Sequence, residues 1–250
     1  MSLSDAQLDR YARHIVLREI GGVGQVRLLA SRIAVIGAGG IGSPVVQYLA
    51  AAGVGTLRLI DDDRVSLPNL QRQTLFGTGD EGALKVERAA EAVAALNPDV
   101  TVEAVAERID AGNADALLEG VGAVVDGSDS FATRLVVSDA CVRTRVPLVS
   151  ASVAQFEGQL GVYRGWEAGQ ACYRCLVGSD PDLPEVSCAD QGVIGALAGV
   201  MGSLGALEAL RCVVPFGEDR AGRLLRVDAL TMRFRTSKVG KDPACPACAG

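Results

Sequence analysis

The residues of this chain best suited to chemistry fall into three groups. The first is a glycine run, Gly37-Ala38-Gly39-Gly40-Ile41-Gly42, followed about 20 residues later by Asp61. In such a run one glycine permits a tight turn, another lets the backbone approach a phosphate, and a third lets a helix pack on a strand. The helix N-terminus then offers free N–H groups and the positive end of its dipole to an anion. A carboxylate such as Asp61 can accept hydrogen bonds from ribose hydroxyls. The second group is Asn69-Leu70-Gln71-Arg72-Gln73, Lys85 and Asp126-Gly127-Ser128-Asp129. Arg72 can grip phosphate oxygens bidentately, and Lys85 can act as a point charge. Asp129 closes an apolar run and can hold Mg²⁺ on a triphosphate. Taken singly, Arg72, Lys85 and Asp129 would read as solvated surface residues. Their placement after the glycine turn gives them a common role.

The third group is two CxxC pairs, Cys172/Cys175 and Cys245/Cys248. Four thiolates suit one tetrahedral Zn²⁺. The stretch between them, 176–244, is far longer than in a compact finger, so the metal would fasten the C-terminal tail to an irregular 165–190 region. A redox CxxC is the competing reading. The second pair, with Pro243 and Pro246 around it, favours a structural ion. A closed four-thiolate site has no open position and implies no catalytic role. Of the other three cysteines, Cys141 and Cys212 lie in apolar helical stretches and read as small buried hydrophobes. Cys188, in Pro184-Glu185-Val186-Ser187-Cys188-Ala189-Asp190, precedes an apolar helix whose N-terminus could lower its pKa, while Glu185 and Asp190 act the other way.

Elements must position these groups. Strands are expected at Ile33–Ile36, Thr56–Ile60, Val100–Val105, Gly122–Val125 and Val146–Ser150. Helices are expected at Gly42–Ala52, at Glu81–Leu96, stopped by Asn97-Pro98, and at Ser130–Thr144. Alternating strands and helices mean βαβ units, hence a Rossmann-like, mostly parallel sheet with helices on both faces. Gly158–Tyr163, Leu224–Ala229 and Thr231–Thr236 read as strands with local turns, an antiparallel extension toward the C-terminal half. Ser4–Leu17 reads as an amphipathic helix with Ser4 and Gln7 in a capping box. One domain over 1–250 is expected: a helical arm (1–30), a nucleotide-binding half (31–150) and a second half (151–250).

Composition narrows the function classes. The chain has 250 residues, nearly half of them apolar, and a formal net charge of −6. That length supports one well-buried α/β core, and an acidic balance is a poor match to sequence-independent nucleic-acid binding. Val193–Leu207 lacks charge, but Glu208 and Arg211 interrupt it before a membrane span is reached. Met1–Arg10 has no basic region followed by an apolar run, so no secretory signal is expected and a cytoplasmic location follows. The glycine fingerprint alone would suit an NAD-dependent oxidoreductase. However, the single histidine, His14, precedes the fold and reads as a partly buried helix residue. A non-catalytic adapter on the same fold would be expected to lack some of Arg13, Arg72, Lys85 and Asp129; all four are present.

Taken together, Arg10-Tyr11-Ala12-Arg13-His14-Ile15, the glycine run, Leu59-Ile60-Asp61-Asp62-Asp63, Val65-Ser66-Leu67-Pro68-Asn69-Leu70-Gln71-Arg72-Gln73, Lys85-Val86-Glu87, Asp126-Gly127-Ser128-Asp129 and the two CxxC pairs resemble the MoeB/ThiF family, bacterial relatives of ubiquitin-activating enzymes. The resemblance runs from Arg10 to Cys248. It is strongest to the branch that adenylylates the carrier of molybdopterin synthase. It implies that ATP with Mg²⁺ adenylylates the C-terminal glycine of a small ubiquitin-like sulfur carrier ending in Gly-Gly. Pyrophosphate would leave, and an external donor would then deliver sulfur. It also implies roles: Asp61 for the ribose, Gly40 against the nucleotide, and Asn69, Arg72 and Lys85 for the phosphates. Asp129 would be the magnesium-associated acid. Arg13 would reach the triphosphate from the partner subunit of a homodimer. Cys188 matches a cysteine that some relatives use in a thioester, acyl-disulfide or persulfide step; an inert loop cysteine is the competing reading.

Overall fold

Consecutive apolar positions in the strands match a sheet covered on both faces. In the computed structural model, which describes residues 3–178 and 192–249, strand β1 (Arg32–Ile36) is buried at every position after the first. It is flanked by β2 (Thr56–Ile60) and β4 (Ala123–Asp126), with β3 (Thr101–Val105) outside β2. Beyond β4 come β5 (Leu148–Ala154), β6 (Glu157–Tyr163), β7 (Arg223–Asp228) and β8 (Arg233–Lys238). The order β3-β2-β1-β4-β5-β6-β7-β8 is one eight-stranded sheet. Pairs from β3 to β5 are parallel, and pairs from β5 to β8 antiparallel. The expected parallel sheet with an antiparallel extension is therefore present.

Helices cover both faces. On one side lie α3 (Gly21–Leu29), α4 (Gly42–Ala51), α5 (Lys85–Leu96) and α9 (Gly195–Val213), packed through Leu28, Val45, Leu49, Val93, Leu197 and Met201. On the other lie α6 (Ala114–Leu117), α7 (Phe131–Thr144) and α8 (Tyr173–Val177), packed through Ala114, Val137, Cys141 and Leu176. Helix α9 is long and apolar enough to cross a membrane by composition alone. Here it is a core helix against α4, β4, β5 and β6, and its Glu208 and Arg211 pair with each other at 3.0 Å.

Several boundaries differ from the sequence expectation for local reasons. The N-terminal arm is two helices, α1 (Asp5–Arg10) and α2 (Ala12–Ile15), rather than one. The Ser4–Gln7 capping box is formed. The break falls at Tyr11, whose buried ring lies against Gly53 and whose hydroxyl donates to Asp99 and accepts from Asn97. Helix α5 starts at Lys85, not Glu81, because Gly82 takes a φ of +83° and Leu84 bridges to Arg64. Strand β8 starts two residues later than expected, since Asp228 accepts the N–H groups of Leu230 and Thr231 and holds 228–232 as a turn. Helix α3 was not expected, because three of its nine residues are glycine. Gln25 holds it in place: its buried amide donates to the Ala52 carbonyl and pairs with His14. His14 is thus a satisfied, half-buried helix residue.

Candidate nucleotide and metal sites

The sheet reverses its strand order between β1 and β4. Ligands of open α/β sheets bind at such a point, beyond the carboxyl ends of the strands. A cavity of about 370 Å³ opens there. Gly37, Gly39, Gly40, Asp61, Asn69, Arg72, Lys85 and Asp129 all line it. Of the expected nucleotide residues only Gly42 stays outside. A Cβ on Gly42 would meet the Gly37 carbonyl oxygen at 2.0 Å, so its part is to let α4 close onto the turn. Gly37 takes a φ of +84°, the left-handed conformation the turn requires. No side chain caps α4; its Ser43 N–H is bonded to the Gly39 carbonyl at 2.8 Å and Pro44 has none, so the N–H groups left to an anion at this turn are those of Gly40, Ile41 and Gly42.

Asp61, first residue after β2, is fixed by two backbone donors. Its Oδ2 accepts from Ala38 N–H at 2.7 Å and its Oδ1 from Asp63 N–H at 2.8 Å. Burial raises its pKa above the ordinary value, and Lys85 and these two N–H groups oppose the shift. Lys85 opens α5. Its ammonium meets Asp63 Oδ2 at 2.7 Å, with the lysine side chain 4% exposed and that of Asp63 68%. Arg72 donates to Asn69 Oδ1 at 2.7 Å, and Asn69 donates to Ser66 Oγ at 2.7 Å. The same loop is wedged against α9, since a Cβ on Gly195 would meet the Gln71 carbonyl at 2.3 Å. Arg72 is thereby held over Gly40, where its Cγ is 3.3 Å from the position a Cβ would take.

Gln73, Arg134 and Ser152 are among the cavity residues to which the sequence assigns no role. Gln73 is buried, and its amide oxygen has no partner among the described residues. Arg134, on α7, reaches across to β5. Ser152 lies at the end of β5. Gln73 closes the Asn69–Gln73 motif, which is a signal. Arg134 and Ser152 had none, because only the tertiary fold brings them to the turn. A smaller cavity of about 150 Å³ adjoins, sharing Gly37, Asp61, Asp63, Ser128 and Asp129 and adding the apolar Ile36, Ile60 and Ile109.

Arg13 is not brought to this cavity by its own chain. It is exposed on α2, and α1 and α2 pack beside Gly53 and Asn97, before the starts of β2 and β3. Five-residue strands put roughly 16 Å of sheet between that edge and the cavity. Cys188 falls outside the described residues.

The four CxxC cysteines converge. Cys172 Sγ lies 3.8 Å from Cys175 Sγ and 3.5 Å from Cys245 Sγ, and Cys175 Sγ lies 3.5 Å from Cys248 Sγ. A disulfide needs about 2.0 Å. Tetrahedral thiolates at about 2.3 Å from zinc stand about 3.8 Å apart. The spacing therefore fits one four-coordinate ion and no disulfide, and it ties the tail to α8. Cys141 is fully buried and burial raises its pKa; Cys212 is pushed up to about 12, chiefly by burial and then by Glu208. Both behave as inert packing residues.

Comparison with known proteins follows the same outline. The model of the ThiF family matches residues 11–247. A SAMP-activating enzyme E1 of Haloferax volcanii is 45% identical over 249 residues, covering 99% of this chain and 91% of that protein. A sulfur carrier protein adenylyltransferase of Thermus thermophilus is 44% identical over 253 residues, covering 99% and 93%. Among solved structures, E. coli MccB with MccA-N7isoASN superposes with a TM-score of 0.83 at 22% identity, over 96% of this chain and 74% of that one, a likeness of fold.

Proposed function

The chain belongs to the ThiF family and is an adenylyltransferase of the kind that activates ubiquitin-like sulfur carriers; we propose how its own residues carry that reaction. A carboxylate oxygen of the carrier's terminal glycine attacks the α-phosphorus of ATP. The bond to the β-phosphate oxygen breaks, pyrophosphate leaves, and an acyl-adenylate remains. A carboxylate is a weak nucleophile and both reactants are anionic, so the protein must neutralise and align rather than supply a strong base. One observation carries this reading: a single cavity gathers the glycine turn, the ribose-type acid Asp61, the cations Arg72, Lys85 and Arg134, and the acids Asp63 and Asp129.

In this reading the adjoining recess takes the base against Ile36, Ile60 and Ile109, and Asp61 accepts from the ribose. The α4 N-terminus, Asn69, Arg72 and Lys85 hold the phosphates. The donor set suits the metal as well. Asp129 is an exposed carboxylate on the cavity wall with no hydrogen-bond partner among the described residues, a hard oxygen ligand of the type Mg²⁺ prefers. Bound there, Mg²⁺ would offset phosphate charge. Zinc in the four-thiolate site is structural. Arg13 enters from the partner subunit of a homodimer, and an external donor supplies sulfur afterwards. An NAD-dependent oxidoreductase is not favoured: the relatives are named for adenylyl transfer and carrier activation, and His14 is engaged with Gln25 on the far edge of the sheet.

Exchange of labelled pyrophosphate into ATP tests the first step alone. It is expected only with Mg²⁺ and a carrier ending in a free Gly-Gly. Tight binding of NAD with no exchange on any such carrier would overturn the reading.

A further inference from the structure

The turn between β4 and α7 is held far more firmly than a surface turn needs. Asp126, the last residue of β4, is fully buried. Its Oδ1 accepts from Ser128 N–H at 3.0 Å and Ser128 Oγ–H at 2.7 Å. Its Oδ2 is buried and has no partner among the described residues. From the other side comes Arg134, only 6% exposed. It donates to the Ser128 carbonyl, to the Ala151 carbonyl at 2.7 Å and to Ser150 Oγ at 2.9 Å. Among the described residues no carboxylate lies within ion-pair distance of it. Ser130 caps α7 by accepting Thr133 N–H. Asp129 therefore sits between two anchored neighbours while its own carboxylate stays free.

Burying a guanidinium and a half-satisfied carboxylate without pairing them directly is costly. A neutral turn would avoid that cost, so what the arrangement achieves is position. The backbone on both sides of Asp129 is fixed before any ligand arrives. The same guanidinium locks that turn to the end of β5, whose next residues, Ser152 to Ala154, line the cavity. We propose that Arg134 and Asp126 are positioning residues: they clamp Ser128 and thereby aim the Asp129 carboxylate at the metal of the bound nucleotide. This deepens the adenylyltransferase reading and rests on it.

The test is calorimetric titration of an α,β-methylene ATP analogue with and without Mg²⁺, on the full chain. The readout is the factor by which Mg²⁺ tightens binding. Arg134→Gln is expected to reduce that factor about 10-fold, within the 10–100-fold range for residues that orient metal ligands. Arg134 itself lines the cavity, so metal-free binding is expected to weaken as well when its positive charge is removed; the factor is a ratio within one variant and cancels that loss. In Asp129→Ala the factor is lost, and Arg134→Gln added to it should cause no further loss. A wild-type factor in folded Arg134→Gln, or losses that multiply in the double variant, would overturn the proposal. If Arg134→Gln loses cooperative unfolding, Ser128→Ala decides. It removes one bond to Asp126 and leaves the guanidinium intact; a reduced factor supports the clamp and an unchanged one overturns it. A wild-type chain that binds the analogue equally with and without Mg²⁺ would defeat the reading of Asp129 itself, a separate outcome.

Discussion

Lys85 stands where a cation is least welcome. It opens α5, at the positive end of the helix dipole, with its side chain 4% exposed and one acid, Asp63, in contact. Such a group is tolerated in the free protein and becomes favourable when phosphates arrive. Lys85→Met should therefore leave the melting temperature unchanged or raised while lowering pyrophosphate exchange by about 10²-fold, the scale of losing one preorganised charge-stabilising group. A large fall in melting temperature, or exchange that survives, would remove Lys85 from the phosphate site. Asp61 makes the complementary case with pH. Burial raises its folded pKa above the ordinary 3.8. Between the two values the folded chain holds a proton that the unfolded chain has lost. The contribution to stability is then fully present below the unfolded value and lost as pH rises through the folded one. Unfolding free energies of the wild type minus those of Asp61→Asn should decline from about pH 3 to neutrality. A flat difference would show that the carboxylate is not strained by burial.

At the scale of elements, what the sequence made legible was whatever local chemistry dictates. β2 is expected at Thr56–Ile60 and lies there, because four of its five residues, Thr56, Leu57, Leu59 and Ile60, are apolar or β-favouring and the run is bounded by Gly55 and Asp61. The glycine turn, Asp61, Asn69, Arg72, Lys85 and Asp129 were legible for the same reason: each follows a strand or opens a helix at a readable offset. Arg134 was not. On α7 it is one arginine in an ordinary helix, and only the tertiary bridge to Ser150 and Ala151 makes it part of the site. Helix α3 was hidden by its glycines, and α8 by its length of five residues. The second element was legible through cysteine spacing alone. Among the described residues, helix α8 and the tail meet through Cys172, Cys175, Cys245 and Cys248, through the Asp242 N–H on Cys175 Sγ, and through Leu176 packed on the Val239 cluster. A structural ion there contributes folding free energy directly. Purified, reduced protein is expected to hold one zinc per chain. Cys248→Ser should release it and make the segment after Val239 protease-sensitive while the sheet stays folded. Stoichiometric protein without zinc would refute the assignment.

The whole molecule leaves a question that one chain does not answer. Arg13 faces solvent at the edge of the sheet away from the cavity. The helical face formed by α3, α4 and α9 exposes Val23, Tyr48, Val200 and Leu207. Large apolar side chains left exposed on neighbouring helices of one face are suited to association. With two-fold symmetry, whatever one copy gives the other it also receives. A partner covering this face would carry its own arginine along, so a site assembled from two chains is the arrangement that gives Arg13 a task. Complementation separates that arrangement from a merely structural Arg13. Arg13→Ala and Lys85→Ala are each expected to abolish exchange as pure proteins. When the two are mixed and allowed to exchange subunits, half the dimers become mixed. In each mixed dimer one site has the Lys85 of the first chain and the Arg13 of the second. Exchange activity should then recover to about a quarter of the wild-type value for random two-fold pairing. Light scattering should give twice the chain mass of 25.8 kDa. No recovery from fully re-equilibrated subunits, or a monomer with full exchange, would place Arg13 outside the site.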